Sequence, residues 1–260
     1  MNTVKFETKI GAILPASDLR QWAILLDIDG TIVDIAPTPR QVSVSAKLRQ
    51  TLARLQKLTD GALALASGRM LVEIDLLFAP LALAAIGGHG AEIRPVPGAE
   101  TRTPATALSV ELKRELAAVA ELAPGILVED KGYSLALHYR SAASLGPTLL
   151  ASVLRICALA PTGTVEIMPG KAVVEVMPAG VSKARAVREL MKHPPFAGRH
   201  PLFIGDDVTD EPVFGVIAEL DGVGFSVGRV IPGAKGHFVA PENVRIWLAR
   251  IVAGCGDAAE

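Results

Sequence analysis

The stretch "AILLDIDGTIVDIAPTP", Ala23 to Pro39, opens as an unbroken apolar run and ends it on two carboxylates, Asp27 and Asp29, two residues apart. A continuous apolar run marks a strand covered on both faces, as in a parallel sheet. Similar runs recur, each closed by small or polar residues: "GALALASG" (Gly61 to Gly68), "LALAAIGGHG" (Leu81 to Gly90) and "PLFIGDD" (Pro201 to Asp207), with "GVGFSVG" and "GHFVA" as weaker members. Helical periodicity lies between them, in "SVSAKLRQTLARLQKL", "SKARAVRELMKH", "DEPVFGVIAEL" and "PENVRIWLARIV". Strand and helix in alternation predict an α/β fold. In such sheets ligands bind at the carboxyl ends of the strands. The residues at those ends are Asp27 and Asp29, Ser67 and Gly68, Gly87 to Gly90, and Asp206 with Asp207.

The middle of the chain reads differently. In "ILVEDKGYSLALHYR", Leu135, Leu137 and Tyr139 oppose Ala136, His138 and Arg140. In "VEIMPGKAVVEVMP", Pro169 and Gly170 supply a turn, and Lys171, Val173 and Glu175 share a face. Alternation of this kind predicts antiparallel hairpins, joined here by the helical stretches "LSVELKRELAAVAEL" and "SLGPTLLASVLRICALA". The expected organisation is therefore a Rossmann-like core with a parallel sheet, 1–96 and 179–260, and an inserted α+β cap domain, 97–178.

Composition narrows the class. Half of the 260 residues are hydrophobic, a fifth are charged and the formal net charge is −1. That is a globular composition without the basic face of a nucleic-acid binder. The two cysteines, Cys157 and Cys255, lie far apart, so no disulfide framework is expected and a cytoplasmic location fits. No uncharged apolar stretch reaches the roughly 18 residues of a membrane span; "LLFAPLALAAIGG" is shorter and contains Pro80.

Two carboxylates at the mouth of a buried sheet repel each other unless a cation intervenes. Oxygen-only donors suit Mg2+. The pair can divide labour: one acid attacks phosphorus, and the other donates a proton to the leaving oxygen and then takes one from water. Asp206, Asp207 and Asp210 in "IGDDVTDE" form a second acidic cluster that a metal would compensate. Lys183 follows the N-cap candidate Ser182, where a cation opposes the helix dipole unless an anion lies close. Thr31, Ser67 and the bare backbone at Gly68 can serve a phosphate.

The order Asp-x-Asp-Gly-Thr, Ser, Lys, Gly-Asp-Asp-x-x-Asp resembles the four motifs of the haloacid dehalogenase (HAD) superfamily. The resemblance implies Asp27 as nucleophile, Asp29 as general acid/base, and Ser67 and Lys183 as phosphate clamps. Mg2+ is implied on the Asp27 side chain, the Asp29 backbone carbonyl and Asp206, with Asp207 and Asp210 as outer supports. "LLDIDGTIVDIAPTP", "GGHGAEIR", "VEDKGYSLALHYR", "PGKAVVEVMP" and "FIGDDVTDE" together are similar to the trehalose-6-phosphate phosphatase family over roughly residues 20 to 250. That similarity implies trehalose 6-phosphate as substrate and binding roles for Glu129, Lys131, Arg140, Lys171 and Glu175. Arg69 and His89 are expected neighbours, and His138 a support. Ile28 stands where relatives often carry a bulkier aromatic, and is expected to leave the carboxylates in place. The absence of a synthase-sized segment implies work beside a separate synthase. The alternatives are another HAD sugar-phosphate phosphatase, such as one for sucrose or mannosylglycerate phosphate, a phosphomutase, and a non-catalytic sugar-phosphate-binding protein.

Overall fold

The structure, a computed structural model, describes residues 16–36, 41–103, 106–121, 124–170 and 172–255. The described chain forms, in order, β1 (Trp22–Leu26), α1 (Ala46–Leu58), β2 (Leu63–Ala66), α2 (Leu71–Phe78), β3 (Ala84–Gly87), β4 (Glu92–Arg94), α3 (Val110–Glu121), β5 (Leu127–Asp130), β6 (Leu135–His138), α4 (Gly146–Cys157), β7 (Val165–Gly170) and β8 (Val173–Pro178). It continues through α5 (Lys183–Leu190), β9 (His200–Gly205), α6 (Glu211–Glu219), β10 (Val223–Val227), β11 (Gly236–Phe238) and α7 (Pro241–Gly254). The chain divides into two compact units, 1–102 with 182–260 and 103–181.

The first unit holds a seven-stranded sheet in the order β11-β10-β9-β1-β2-β3-β4. Every neighbouring pair is parallel except β3 with β4. The fold is therefore α/β. Its central strands are covered on both faces, which explains their continuous apolar runs. On one face Ile24, Leu26, Leu63 and Leu65 pack with Leu48, Leu52 and Leu55 of α1, Phe78 of α2, and Trp247 and Leu248 of α7. On the other, small residues (Ala23, Ala64, Ala66, Ala84) admit Val187 and Leu190 of α5 and Phe214 and Ile217 of α6. The strand order reverses at β1, which has β2 on one side and β9 on the other. Chains leave in opposite directions at such a switch point and open a crevice at the strand ends, where α/β proteins bind ligands. The strands that meet there end at Leu26 and Gly205, directly before Asp27 and Asp206.

The α1 helix opens on the N-cap Ser45, whose Oγ accepts from the Leu48 N–H at 3.2 Å, and α7 opens on Pro241 as read from the sequence. Two elements were not expected. "LVEIDLLF" forms α2, which buries Leu71, Ile74 and Phe78 but leaves Val72 and Leu76 exposed, so it lacks a polar face to betray its period. The apolar stretch "LLFAPLALAAIGG" is thereby divided between a helix end and β3. Among the described residues no helix is long and apolar enough to cross a membrane. The three-residue β4 is too short to display alternation.

The second unit is a four-stranded antiparallel sheet in the order β5-β6-β8-β7. Leu135, Leu137, Val174 and Val176 share its apolar face and pack with Leu116 of α3 and with Leu149 and Val153 of α4. Its bounds differ from the 97–178 read from the sequence. Ile93 and Arg102 exchange two backbone hydrogen bonds of 2.9 Å, which keeps the chain with β4 up to residue 102. At the other end the Ala179 N–H donates to the Thr164 carbonyl and the Gly180 N–H to Glu166, both at 2.9 Å, so the strand pair holds the chain past Pro178.

Candidate active site

After β1 the chain turns tightly. The Ile32 and Val33 N–H groups both donate to the Ile28 carbonyl at 3.0 Å, and the Gly30 N–H donates to Val33 at 2.8 Å. Gly30 is required twice over. Its φ is +83°, and a Cβ there would lie 2.1 Å from an Asp206 carboxylate oxygen. Ile28 is fully buried in the core, so it anchors the turn from beneath and leaves Asp27 and Asp29 at its rim.

Asp27 is 4% exposed. Lys183 Nζ donates to its Oδ1 at 2.6 Å and Thr31 Oγ1 to its Oδ2 at 2.9 Å. The same hydroxyl lies 3.1 Å from Asp206 Oδ1, although it has one proton to give. Lys183 also donates to Asp210 Oδ1 at 2.8 Å, and Asp210 Oδ2 accepts the Asp206 and Asp207 N–H groups at 3.0 Å each. Asp210 is thus enclosed by donors and braces the loop after β9, while Asp207 is exposed. Asp27, Asp206 and Asp210 each offer a carboxylate oxygen, all within 4.8 Å of one another.

The electrostatics are unbalanced. Three carboxylates face one buried ammonium, which leaves two negative charges without a partner in this cluster. Burial pushes Asp27 well above the usual carboxylate range; Lys183 pulls it back, and Asp210 and Asp206 push it further up. Burial likewise raises Asp206. Burial alone would lower Lys183, but Asp210 and Asp27 outweigh it and hold the ammonium charged. A set of hard oxygen donors with two surplus negative charges fits a divalent cation such as Mg2+. The α5 helix places this lysine: the Ser182 N-cap accepts from the Arg185 N–H at 3.2 Å, and Lys183 begins the helix with its side chain turned into the acids.

The neighbouring strand ends are laced together. Ser67 N–H donates to Ile86 O, His89 N–H to Ser67 O and Gly88 N–H to Arg69 O, at 2.8 to 3.0 Å. A Cβ on Gly68 would lie 2.3 Å from His89 Nε2, so the imidazole rests against bare backbone. His89 takes φ +54°, unusual outside glycine. Arg69 reaches Asp29 in a two-pronged pair, Nε to Oδ2 at 2.6 Å and an Nη2 to Oδ1 at 2.7 Å. Sequence reasoning placed Arg69 near substrate and did not foresee this pairing, which spans 40 residues.

In the second unit, register puts Glu129, Ala136, Glu175 and Met168 in one cross-strand row, on the face opposite the apolar cluster. Glu175 has both oxygens engaged, Lys131 Nζ on Oε2 at 3.0 Å and Ser134 Oγ on Oε1 at 2.7 Å. His138 Nε2 lies 2.7 Å from Glu129 Oε2. Ser134 was missed, although alternation through Ser134, Ala136 and His138 was the signal for it. Arg140 needs a correction of place: β6 ends at His138, and Arg140 opens the exposed 3-10 turn Arg140–Leu145 rather than lying on a hairpin. Lys171 lies outside the described residues.

A sheet switched at β1, acids just past the two strands that meet there and a buried lysine from α5 make up the site, and the fold is shared with a phosphatase of the haloalkanoate (HAD) enzyme superfamily from Bacteroides thetaiotaomicron, with a TM-score of 0.59 at 16% identity over 93% of this chain and 98% of that one. A profile of the trehalose-phosphatase family matches residues 25–236, and the chain belongs to that family. It is 42% identical over 239 residues to a probable trehalose-phosphate phosphatase of Sinorhizobium fredii, covering 91% of this chain and 89% of that one. It is 37% identical over 233 residues to the trehalose-6-phosphate phosphatase of Escherichia coli, covering 89% and 86%. The C-terminal domain of C. albicans trehalose-6-phosphate phosphatase shares the fold, with a TM-score of 0.75 at 23% identity over 92% of this chain and 97% of that one.

Proposed function

We infer that this protein hydrolyses trehalose 6-phosphate to trehalose and phosphate, with Asp27 as nucleophile and Asp29 as general acid/base. The observation that carries the chemistry is the buried cluster in which Asp27 meets Lys183, Thr31 and Asp206 at the switch point of the sheet. The substrate rests on family membership. Mg2+ would be held by the Asp27 side chain, the Asp29 backbone carbonyl and Asp206, and when bound it offsets the negative charge of the phosphoryl group. Asp207 and Asp210 support that site from outside.

An Asp27 oxygen bonds to phosphorus as the bond from phosphorus to the sugar O6 breaks, and Asp29 gives its proton to O6. Water then attacks the aspartyl phosphate, its proton passes to Asp29, and the bond between Asp27 and phosphorus breaks. Lys183 opposes the burial that raises Asp27 and sits beside the oxygen that attacks. Thr31, Ser67 and the Gly68 backbone complete the phosphate site, with Arg69 and His89 beside it. In the second unit Glu129, Lys131, Arg140, Lys171 and Glu175 bind the sugar, and His138 orients Glu129. A site that hydrogen-bonds hydroxyls rejects analogues lacking them. The protein works in the cytoplasm on the sugar phosphate that a synthase supplies.

Phosphate release across trehalose, sucrose, mannosylglycerate and glucose phosphates tests the assignment. Preference for trehalose 6-phosphate is expected. Equal rates across the panel would remove the substrate and leave the core chemistry standing.

A further inference from the structure

We propose that Arg69 is a positioning residue for proton transfer, its guanidinium fixing the plane and direction of the Asp29 carboxyl group. The inference rests on reading Asp29 as the acid/base. The terminal torsion of an aspartate is broad and roughly two-fold, and the Asp29 side chain is 34% exposed. Left alone, such a carboxyl group samples orientations that do not point at a leaving oxygen. The two parallel contacts from Arg69, 2.6 and 2.7 Å, define one orientation.

The arm that makes these contacts is itself fixed. The Arg69 N–H donates to Ser67 Oγ at 3.2 Å, and its carbonyl accepts from the Gly88 N–H at 2.8 Å. The helix that follows is secured at its start, where Glu73 accepts the Met70 N–H at 2.9 Å and Glu92 the Leu71 N–H at 2.8 Å. Three strand ends, those of β1, β2 and β3, therefore converge on the pose of one carboxyl group. When Asp29 carries the proton, one oxygen keeps its Arg69 contact and the other presents the O–H. The proton moves to the leaving oxygen as the bond from that oxygen to phosphorus breaks and the bond from Asp27 to phosphorus forms. The Arg69 contact shifts to whichever oxygen is bare, and Arg69 itself exchanges no proton.

A leaving oxygen that is already a good leaving group needs no proton, whereas a poor one does. Phenyl phosphates that differ only in ring substituent isolate this requirement, because they make no sugar contacts. Their kcat/KM reports the steps up to release of the phenol. With purified full-length protein, Asp29→Asn should steepen the fall of kcat/KM with leaving-group basicity, losing about 10²-fold or more on the poorest leaving group and less than about tenfold on p-nitrophenyl phosphate. Arg69→Gln should steepen it in the same direction, with about tenfold more loss at the poor end than at the good end. Arg69→Lys, which keeps the charge but not the fork, should fall between it and the native protein. If Arg69→Gln is poorly folded, the lysine variant decides alone. Equal loss along the series in the Arg69 variants, with a steepened series in Asp29→Asn, overturns the inference and leaves the Asp29 assignment intact. Equal loss in Asp29→Asn overturns both.

Discussion

The acids of the two units are held in opposite ways. In the first, Asp27, Asp206 and Asp210 share one ammonium, and a single Thr31 hydroxyl lies between two of them. In the second, the two acids of the cross-strand row have their own partners: Glu175 has Lys131 and Ser134, and Glu129 has His138. A buried cluster with surplus charge is destabilising by itself and is retained where a cation or anion-handling chemistry completes it. A row of paired groups is complete without a guest. It presents fixed donors and acceptors, which suits a neutral, hydroxyl-rich sugar. The contrast matches the proposed division, with phosphoryl transfer in the first unit and recognition in the second.

The sharpest way to break this division is Asp27→Asn. It keeps the shape and removes the nucleophile, so turnover of trehalose 6-phosphate should fall on the order of 10⁴-fold or more while far-ultraviolet circular dichroism is unchanged. Persistent metal-dependent phosphate release would contradict the assignment. Lys183→Ala comes next. Loss of the ammonium beside the attacking oxygen should lower kcat by about 10²- to 10³-fold, read by initial rates with saturating substrate.

Variants of the second unit should act on binding. Glu175→Gln is expected to raise KM for trehalose 6-phosphate by about tenfold or more, and Ser134→Ala, which frees one Glu175 oxygen, by a few-fold. Neither should alter kcat/KM for phenyl phosphate. An equal loss on both substrates would dissolve the division of labour between the units.

The smallest effect is on stability. The folded-state values of Asp27 and Asp206 are raised. Their contribution therefore favours the folded state below the usual carboxylate range and is lost as pH climbs through the raised values. A bound dication takes the place of those protons. The difference in Tm between Mg2+-loaded and metal-free protein should therefore widen by a few degrees between about pH 4 and about pH 7, followed by scanning calorimetry. A constant difference would mean that these acids do not meet the ion.

Much of this was legible in the sequence because it is encoded locally. A strand covered on both faces must be apolar throughout, so β1, β2, β3 and β9 announce themselves and the acids at their ends stand out. The α2 helix did not, because its exposed side carries Val72 and Leu76 instead of polar residues. Partnerships across space were the other gap. The Asp29 to Arg69 pair and the Glu175 to Ser134 pair span 40 and 41 residues and depend on which strands become neighbours. Local pattern does not carry strand order. Arg140 was misplaced for a simpler reason: the alternation runs on by one polar residue after the strand has turned away.

The proposed chemistry depends on a divalent cation held by Asp27 and Asp206, with Asp210 bracing them from outside. Its most direct measurement is a Mn2+ titration of the metal-free protein followed by electron paramagnetic resonance, with inorganic phosphate present and Mg2+ as competitor. One bound Mn2+ per chain, displaced by Mg2+ and lost in Asp206→Asn, is the expected result. No bound ion, together with undiminished hydrolysis of trehalose 6-phosphate in excess chelator, would contradict it.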